Sequence, residues 1–239
     1  MTCNRPPLFR KRQFEQIVIV TCVRWYLRFS LSLRDLEELM AERGLTVDHT
    51  TIWRWRQFYG PEVLRRRQGE VKRKRSTWHV DETFVRIAGR WFYLFRAVDN
   101  YGQTVDFYLS ERRDRVAAKC FLQRALANPD NDPPHVFSRD GLRSYPAAIR
   151  EHNRKATFTA VAVIAPGAIA ITVSKSDHRH VKRRLRAMQG PRTKETAWAV
   201  IQGIEAAQCI WPLNFCLIFG VQSNLHGQAW VFGALLGIA

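Results

Sequence analysis

The apolar pattern of this 239-residue chain changes period at Thr77, and the change decides what each side can fold into. Before it, Phe14, Ile17, Val18, Thr21, Cys22, Trp25 and Tyr26 recur at three- and four-residue steps. That spacing gathers side chains on one face of an α-helix. After it, β-rich apolar runs alternate with turn residues as far as Leu109, the mark of strands and hairpins. A helical head followed by a mixed α/β body is therefore expected.

In the head, Ser30–Leu31–Ser32 interrupts the first helix, and Ser32 can cap a second. That helix is expected from about Leu33 to Arg43, with Leu36, Leu39 and Met40 inward and Gly44 ending it. A third is expected over Thr50 to Tyr59, with Ile52, Trp55 and Tyr59 as its apolar stripe and Gly60–Pro61 as its stop. A short helix, a glycine turn and a second helix with Arg54, Arg56 and Gln57 on its polar side match a helix-turn-helix. Thr50 and Thr51 stand at the helix entrance, beside Asp48 and His49, where side chains reach base edges or phosphates. Arg54 and Arg56 can pair with phosphates or guanine.

Charge points the same way. The chain has 38 Lys+Arg against 21 Asp+Glu, a net +17, and residues 1–76 alone carry 17 basic against 8 acidic residues. Such a surplus repels itself in a compact fold unless a polyanion offsets it, so nucleic acid is the expected partner. Arg65–Arg66–Arg67 and Lys72–Arg73–Lys74–Arg75 make residues 65–76 a basic linker suited to lie along phosphates. A content of 46% apolar and 25% charged residues excludes a disordered or collagen-like chain. The five cysteines form no C-x-x-C pair, which excludes a cysteine zinc site and reads as a reducing compartment. No signal-peptide pattern follows the basic N-terminus, and Val18 to Val23 is too short to span a bilayer. The expected location is the cytoplasm, on the nucleoid when DNA is bound, with no membrane partner.

Beyond Thr77, strands are expected at Thr77–Val85, Arg90–Val98 and Thr104–Leu109, joined by turns at Ala88–Gly89 and Asn100–Tyr101–Gly102. These make an antiparallel meander. A helix should follow over Arg113 to Ala127, with Val116, Ala117, Cys120, Phe121 and Ala125 on its inner face. His135–Val136–Phe137 reads as a fourth strand, with Asp140 just past its end, and Tyr145 to Glu151 as a short helix. Meander, helix and strand in this order fit a ribonuclease H-like core. The expected fold is thus α/β, a ribonuclease H-like core preceded by an all-α helix-turn-helix domain. Its parts are residues 1–64 for the head, 65–76 for the linker, 77–209 for the core and 210–239 for an apolar tail.

The residues then bring a family into view. Trp78-His79-Val80-Asp81-Glu82-Thr83 and Trp91-Phe92-Tyr93-Leu94-Phe95-Arg96-Ala97-Val98-Asp99 resemble the insertion sequence six family of bacterial transposases. So do Asp106-Phe107-Tyr108-Leu109-Ser110, Asp140 with Tyr145-Pro146-Ala147-Ala148-Ile149, Asp177-His178-Arg179 leading into Lys182-Arg183-Arg184, and Gly203-Ile204-Glu205-Ala206. The likeness covers roughly residues 8–209. It implies a transposase that binds terminal inverted repeats and catalyses metal-dependent DNA cleavage and strand transfer through an Asp-Asp-Glu triad. The partners it implies are double-stranded DNA, as element ends and as target, and further copies of the chain in a synaptic homo-oligomer.

By position, Asp81 matches the first acid and Asp140 the second, with 58 residues between them. Both are read as ligands of Mg²⁺ or Mn²⁺, hard cations that take carboxylate oxygens. An Asp within an apolar strand is costly unless paired or liganded, which singles out Asp81. Glu82 should point to the opposite strand face. In the family 34 residues separate the second acid from the Glu, and the place that follows them here holds Lys175. An ammonium has donors only and cannot ligate a metal. The segment from Ala156 to Ser174 is uncharged, as is everything after Glu205, where the family's counterpart of the first is polar and basic. The chain therefore reads as a degenerate copy; the alternative is a catalytically inactive DNA-binding relative, an inhibitor or remnant. Arg179, Lys182, Arg183 and Arg184, near the presumed site, are expected to hold flanking DNA strands.

Overall fold

The computed structural model describes residues 5–70, 77–100, 104–134, 136–139, 164–166, 181–186, 191–209 and 225–238. They fall into two compact units, one of residues 1–68 and 183–239, the other of residues 69–182.

The first unit is helical. A short 3-10 turn, Pro7–Phe9, precedes α1 (Gln16–Arg28), α2 (Leu33–Ala41) and α3 (His49–Glu70). As expected, Ser32 caps α2. Its side chain accepts from the Asp35 backbone N–H at 3.0 Å while the Asp35 carboxylate accepts from the Ser32 N–H at 2.7 Å, a reciprocal capping box. Gly44 follows with φ of +72°, the left-handed conformation that glycine adopts without a Cβ clash. Ile52, Trp55 and Tyr59 of α3 are all buried, and the Tyr59 ring stacks on Phe9 at 5.0 Å.

The expected stop at Gly60–Pro61 is corrected. α3 runs through both residues to Glu70, so the first part of the basic stretch, 65–70, is helix. The backbone at Gly60 has no side chain because another helix occupies that space. α5 (Lys194–Cys209) brings Gly203 so close that a methyl built on Gly60 would lie 3.3 Å from the Gly203 Cα. α1 packs against α2, α5 and α6 (Leu225–Leu235) through Ile19, Val23 and Leu27 and their neighbours. From α3, Arg66 Nη1 donates to the Leu235 carbonyl at 3.0 Å, satisfying an acceptor at the end of α6.

Glu62 anchors the middle of α3. Its carboxylate accepts from Arg65 at 2.7 and 2.8 Å and from Arg66 at 2.7 Å. The Arg65 hydrogen bond, with the Arg66 bond and against the opposing effect of burial, holds its pKa down to about 2. A depressed carboxylate pKa contributes stability that is complete above the unfolded value near 4.3 and fades as pH falls toward about 2. Because Arg65 is exposed and solvent screens it, Glu62→Gln is expected to cost no more than about 1 kcal/mol at neutral pH. Urea midpoints should show the gap between parent and variant closing between about pH 4.5 and 2; a gap independent of pH would refute the ion-pair account.

The second unit is a mixed five-stranded sheet of order β3-β2-β1-β4-β5. β1 (Thr77–Ile87), β2 (Arg90–Val98) and β3 (Thr104–Ser110) form the antiparallel meander. The β1–β2 hairpin turns at Ala88–Gly89, where φ is 47° and 80°. Two successive positive φ values are what a tight two-residue hairpin requires. α4 (Arg115–Ala127) follows, capped by Asp114, which accepts from the Ala117 N–H at 2.8 Å. β4 (Val136–Arg139) then returns parallel to β1, and β5 (Ile164–Pro166) parallel to β4.

Trp78, Val80, Phe95, Ala97 and Phe137 of the sheet pack against Ala118, Phe121, Leu122 and Ala125 of α4. The inner face of α4 is a correction in part. Ala117, Phe121 and Ala125 are buried, but Val116 and Cys120 face outward, and Ala118 and Leu122 take their places. β5 is a strand that the uncharged run from Ala156 to Ser174 did not announce. The helix expected at Tyr145 to Glu151 lies outside the described residues. No helix among those described is long and apolar enough to cross a membrane.

Candidate active site and nucleic-acid interface

Strand alternation sorts the residues around Asp81. Val80 belongs to the core beneath α4, and Glu82 accepts from Arg113 Nε at 2.7 Å just before that helix. Both therefore point to the α4 side, and Asp81 points to the other. Asp81 is half-buried, and one carboxylate oxygen accepts from the Glu82 backbone N–H at 2.7 Å. Its direct partner across the β1–β2 ladder is Arg96, and cross-strand partners share a face. Arg96 is 2% exposed and donates through Nη2 to the Thr104 hydroxyl at 2.6 Å. A buried guanidinium thus shares the Asp81 face.

His79, two residues before Asp81, lies on that face too. It is buried, its Nε2 is 3.0 Å from Asn100 Oδ1, and its Nδ1 is buried with no hydrogen-bond partner among the described residues. In the parallel β1–β4 ladder, His79 stands beside Ser138 and Val80 beside Arg139. Neither His79 nor Arg96 stood out as a candidate in the sequence. The signal was the two-residue period itself, which places His79 with Asp81.

Asp140 is the residue next in sequence after β4. It lies outside the described residues, as do Lys175 and Arg179. Among the described residues, the group of acids and histidine close enough to share a metal is Glu37, Asp48 and His49, in the helical unit. There His49 Nδ1 is 2.9 Å from Glu37 Oε2, so this trio is a partly exposed clasp between α2 and α3.

On α3, Thr50 and Arg54 are exposed and Thr51 is half-buried. Asp48 accepts from the Thr50 N–H at 2.7 Å and also pairs with the Thr50 hydroxyl, holding the helix entrance. That shared contact keeps the Asp48 carboxyl below its ordinary range. Trp53 is 41% exposed and Gln57 half-buried. Residues 50, 53, 54 and 57 share one helical face. Trp53 was missed because an aromatic in a helix ordinarily signals core.

Two expected DNA contacts are corrected. Arg56, read as part of the polar side of α3, is 4% exposed. Its Nη1 donates to the Tyr26 hydroxyl at 3.1 Å and its guanidinium lies 5.0 Å from the ring centroid. Arg184, from the helical stretch 181–186, is 3% exposed. Its guanidinium lies 3.9 Å from the centroid of the same ring, and its Nε donates to the Tyr26 carbonyl. Burial, with repulsion from Arg56, lowers the Arg184 pKa to about 10, and burial raises that of the Tyr26 phenol. Both arginines are therefore packed around one tyrosine and not offered to phosphates. Lys182 and Arg183, beside Arg184, are exposed.

Comparison with known proteins identifies the family. A family model described as a DDE domain, of the IS240 transposase type, matches residues 75–213. The transposase for insertion sequence-like element IS431mec of Staphylococcus aureus strain N315 is 32% identical over 209 residues, 86% of this chain and 89% of that protein. The transposase for insertion sequence element IS257 in transposon Tn4003, also of Staphylococcus aureus, is 32% identical over the same shares. The resemblance first carried by the Trp78–Thr83 and Trp91–Asp99 motifs thus extends over most of both chains, and this chain belongs to the insertion sequence six family of DDE transposases.

Proposed function

We propose that this chain is the transposase of an insertion sequence, built on a ribonuclease H-like core, with a helix-turn-helix head that binds the element's terminal inverted repeats. The observation that carries the reading is the parallel register of β1 and β4, in which Val80 pairs with Arg139. Asp81 and Asp140 are the residues that directly follow this pair in sequence. The 3-2-1-4-5 strand order, with only β2 antiparallel to its neighbours, supports the same core.

A DDE domain implies a divalent metal. Carboxylates fit a hard cation such as Mg²⁺ or Mn²⁺, and Asp81 and Asp140 would hold it. When bound, such ions neutralise the charge of an in-line phosphoryl transfer at the attacking and leaving oxygens. The chain's own contribution is to present Asp81 from a rigid central strand. Arg96 and His79 position it: they share its face and restrict the volume beside it. Lys175 supplies no third ligand, so strand cleavage and transfer by this copy should be slow.

For the head, the face of α3 formed by Thr50, Trp53, Arg54 and Gln57 is the reading surface, with Thr51 at its edge. Lys182 and Arg183, together with Arg179, hold flanking phosphates. Synapsis of two element ends calls for a homo-oligomer, and the protein works on the nucleoid. The full chain is expected to footprint on element ends with an affinity that falls steeply with salt. Arg54→Ala should weaken that binding by about 1–3 kcal/mol if the guanidinium reads a base. Arg56→Ala should lower the melting temperature instead. Full affinity in Arg54→Ala would remove α3 as the reading helix.

A further inference from the structure

The α4 face of the sheet has two ends of opposite character. At one, Trp78 is 1% exposed under α4. Toward the other the helix stops, and the Glu82–Arg113 ion pair marks its limit. Beyond that pair stand Phe84, 49% exposed, and Trp91, 59% exposed, with half-buried Tyr93 on β2. The Phe84 ring lies 6.2 Å from Trp91, edge to face, and 5.4 Å from Tyr93. Arg86 pairs directly across from Trp91, with its guanidinium 5.8 Å from the indole centroid, and exposed Arg90 opens β2.

Large aromatics at the tip of a hairpin do nothing for the core. They leave apolar area in water that folding does not recover. We propose that the Phe84–Trp91–Tyr93 end of the β1–β2 hairpin is a stacking platform for unpaired bases of a DNA strand, with Arg86 on its phosphates.

The charge decides the occupant. Residues 84–93 contain two arginines and no acid, and Glu82, the acid preceding them, is already paired with Arg113. A second copy of the chain docked on this patch by two-fold symmetry would bring arginines against arginines. A polyanion meets no such repulsion. Each base offers a π-face of any sequence, so aromatic rings beside cations take unpaired strands with little sequence preference. Duplex bases are already stacked and gain nothing there. The patch is on the sheet face opposite Asp81 and three residues further along β1, roughly 10 Å. A strand end that has left its duplex can be held on it apart from the site of chemistry.

The inference rests on the reading that this chain handles DNA, and two substrates separate the two ideas. The full chain is titrated, by fluorescence anisotropy, with a blunt duplex and with the same duplex carrying a single-stranded extension. The parent should bind the extended form more tightly. Trp91→Ala should lose at least about tenfold in affinity for the extended form, the loss of one base stack, and keep its affinity for the blunt form. Trp91→Phe should retain most of the preference, and Arg86→Ala should weaken it while leaving the other rings in place. Equal binding of both substrates by the parent, or Trp91→Ala indistinguishable from it, would overturn the platform alone. Failure of the parent to bind either substrate would overturn the platform together with the DNA reading. A change in sedimentation of Trp91→Ala without loss of DNA binding would make the patch a protein interface and overturn the proposal.

Discussion

Lys175→Glu is expected to raise metal-dependent nicking of element ends by two orders of magnitude or more over the unmodified chain. The argument is electrostatic. In-line displacement at a phosphodiester concentrates negative charge on the attacking and leaving oxygens, and divalent ions stabilise it by several kcal/mol. On the proposed reading Asp81 and Asp140 would supply two carboxylates, whereas an ammonium at 175 would add positive charge where cations must collect. At about 1.36 kcal/mol per tenfold, even 3 kcal/mol of lost stabilisation is roughly a hundredfold in rate. The measurement is single-turnover nicking of a labelled end with Mg²⁺ or Mn²⁺, and Asp81→Ala in the Lys175→Glu background should return it to the baseline. DNA affinity should change little, which separates chemistry from binding. Robust cleavage by the unmodified chain would show that another acid serves as the third ligand. A Lys175→Glu chain that binds but stays inert would place the lesion in the altered run from Ala156 to Ser174.

What could be read in advance follows the range of the interactions involved. The capping box at Ser32 and the Ala88–Gly89 turn are made by residues within three positions of each other, so their signals are local. The opposed directions of Asp81 and Glu82 follow from strand alternation alone, and the Arg113–Glu82 bond agrees with it. Arg56 is different. Nothing near it in sequence marks it as buried; its partner Tyr26 is 30 residues away, and Arg184 reaches the same tyrosine across 158. An arginine on a helix is ordinarily a surface residue, and only a tertiary aromatic partner overturns that expectation. β5 escaped notice for a similar reason. Three residues in a long uncharged run carry no period of their own, and their pairing with β4 defines them as a strand. Arg96 shares the face of Asp81 because ladder register puts it there, and register across strands is not written in one strand's pattern.

The misread stop at Gly60–Pro61 leads to the second large expectation. Gly203→Val should destabilise the helical unit by about 3 kcal/mol, at the upper end of what overpacking costs. A methyl at residue 203 would lie 2.7 and 3.0 Å from the two Leu27 methyls and 3.2 Å from the Gly60 Cα. Leu27 is itself buried and has little room to turn, and the Gly60 backbone cannot yield without moving α3. Valine adds two further methyl groups to that crowding, and its stiff χ1 offers few escapes. Gly203→Ala should cost less, because the helix propensity gained, about 1 kcal/mol, offsets part of the clash. Since Gly60 and Gly203 face each other, Gly60→Ala and Gly203→Ala together should be worse than the sum of the two alone, the signature of a shared contact. Thermal melts followed by far-UV circular dichroism test this. A fall of roughly 6–12 °C is expected for Gly203→Val, at about 2–4 °C per kcal/mol for a chain of this size. A variant melting within about a degree of the parent would mean that α3 and α5 do not cross at these glycines, and with that the continuous α3 would lose its reason for carrying a glycine before Pro61.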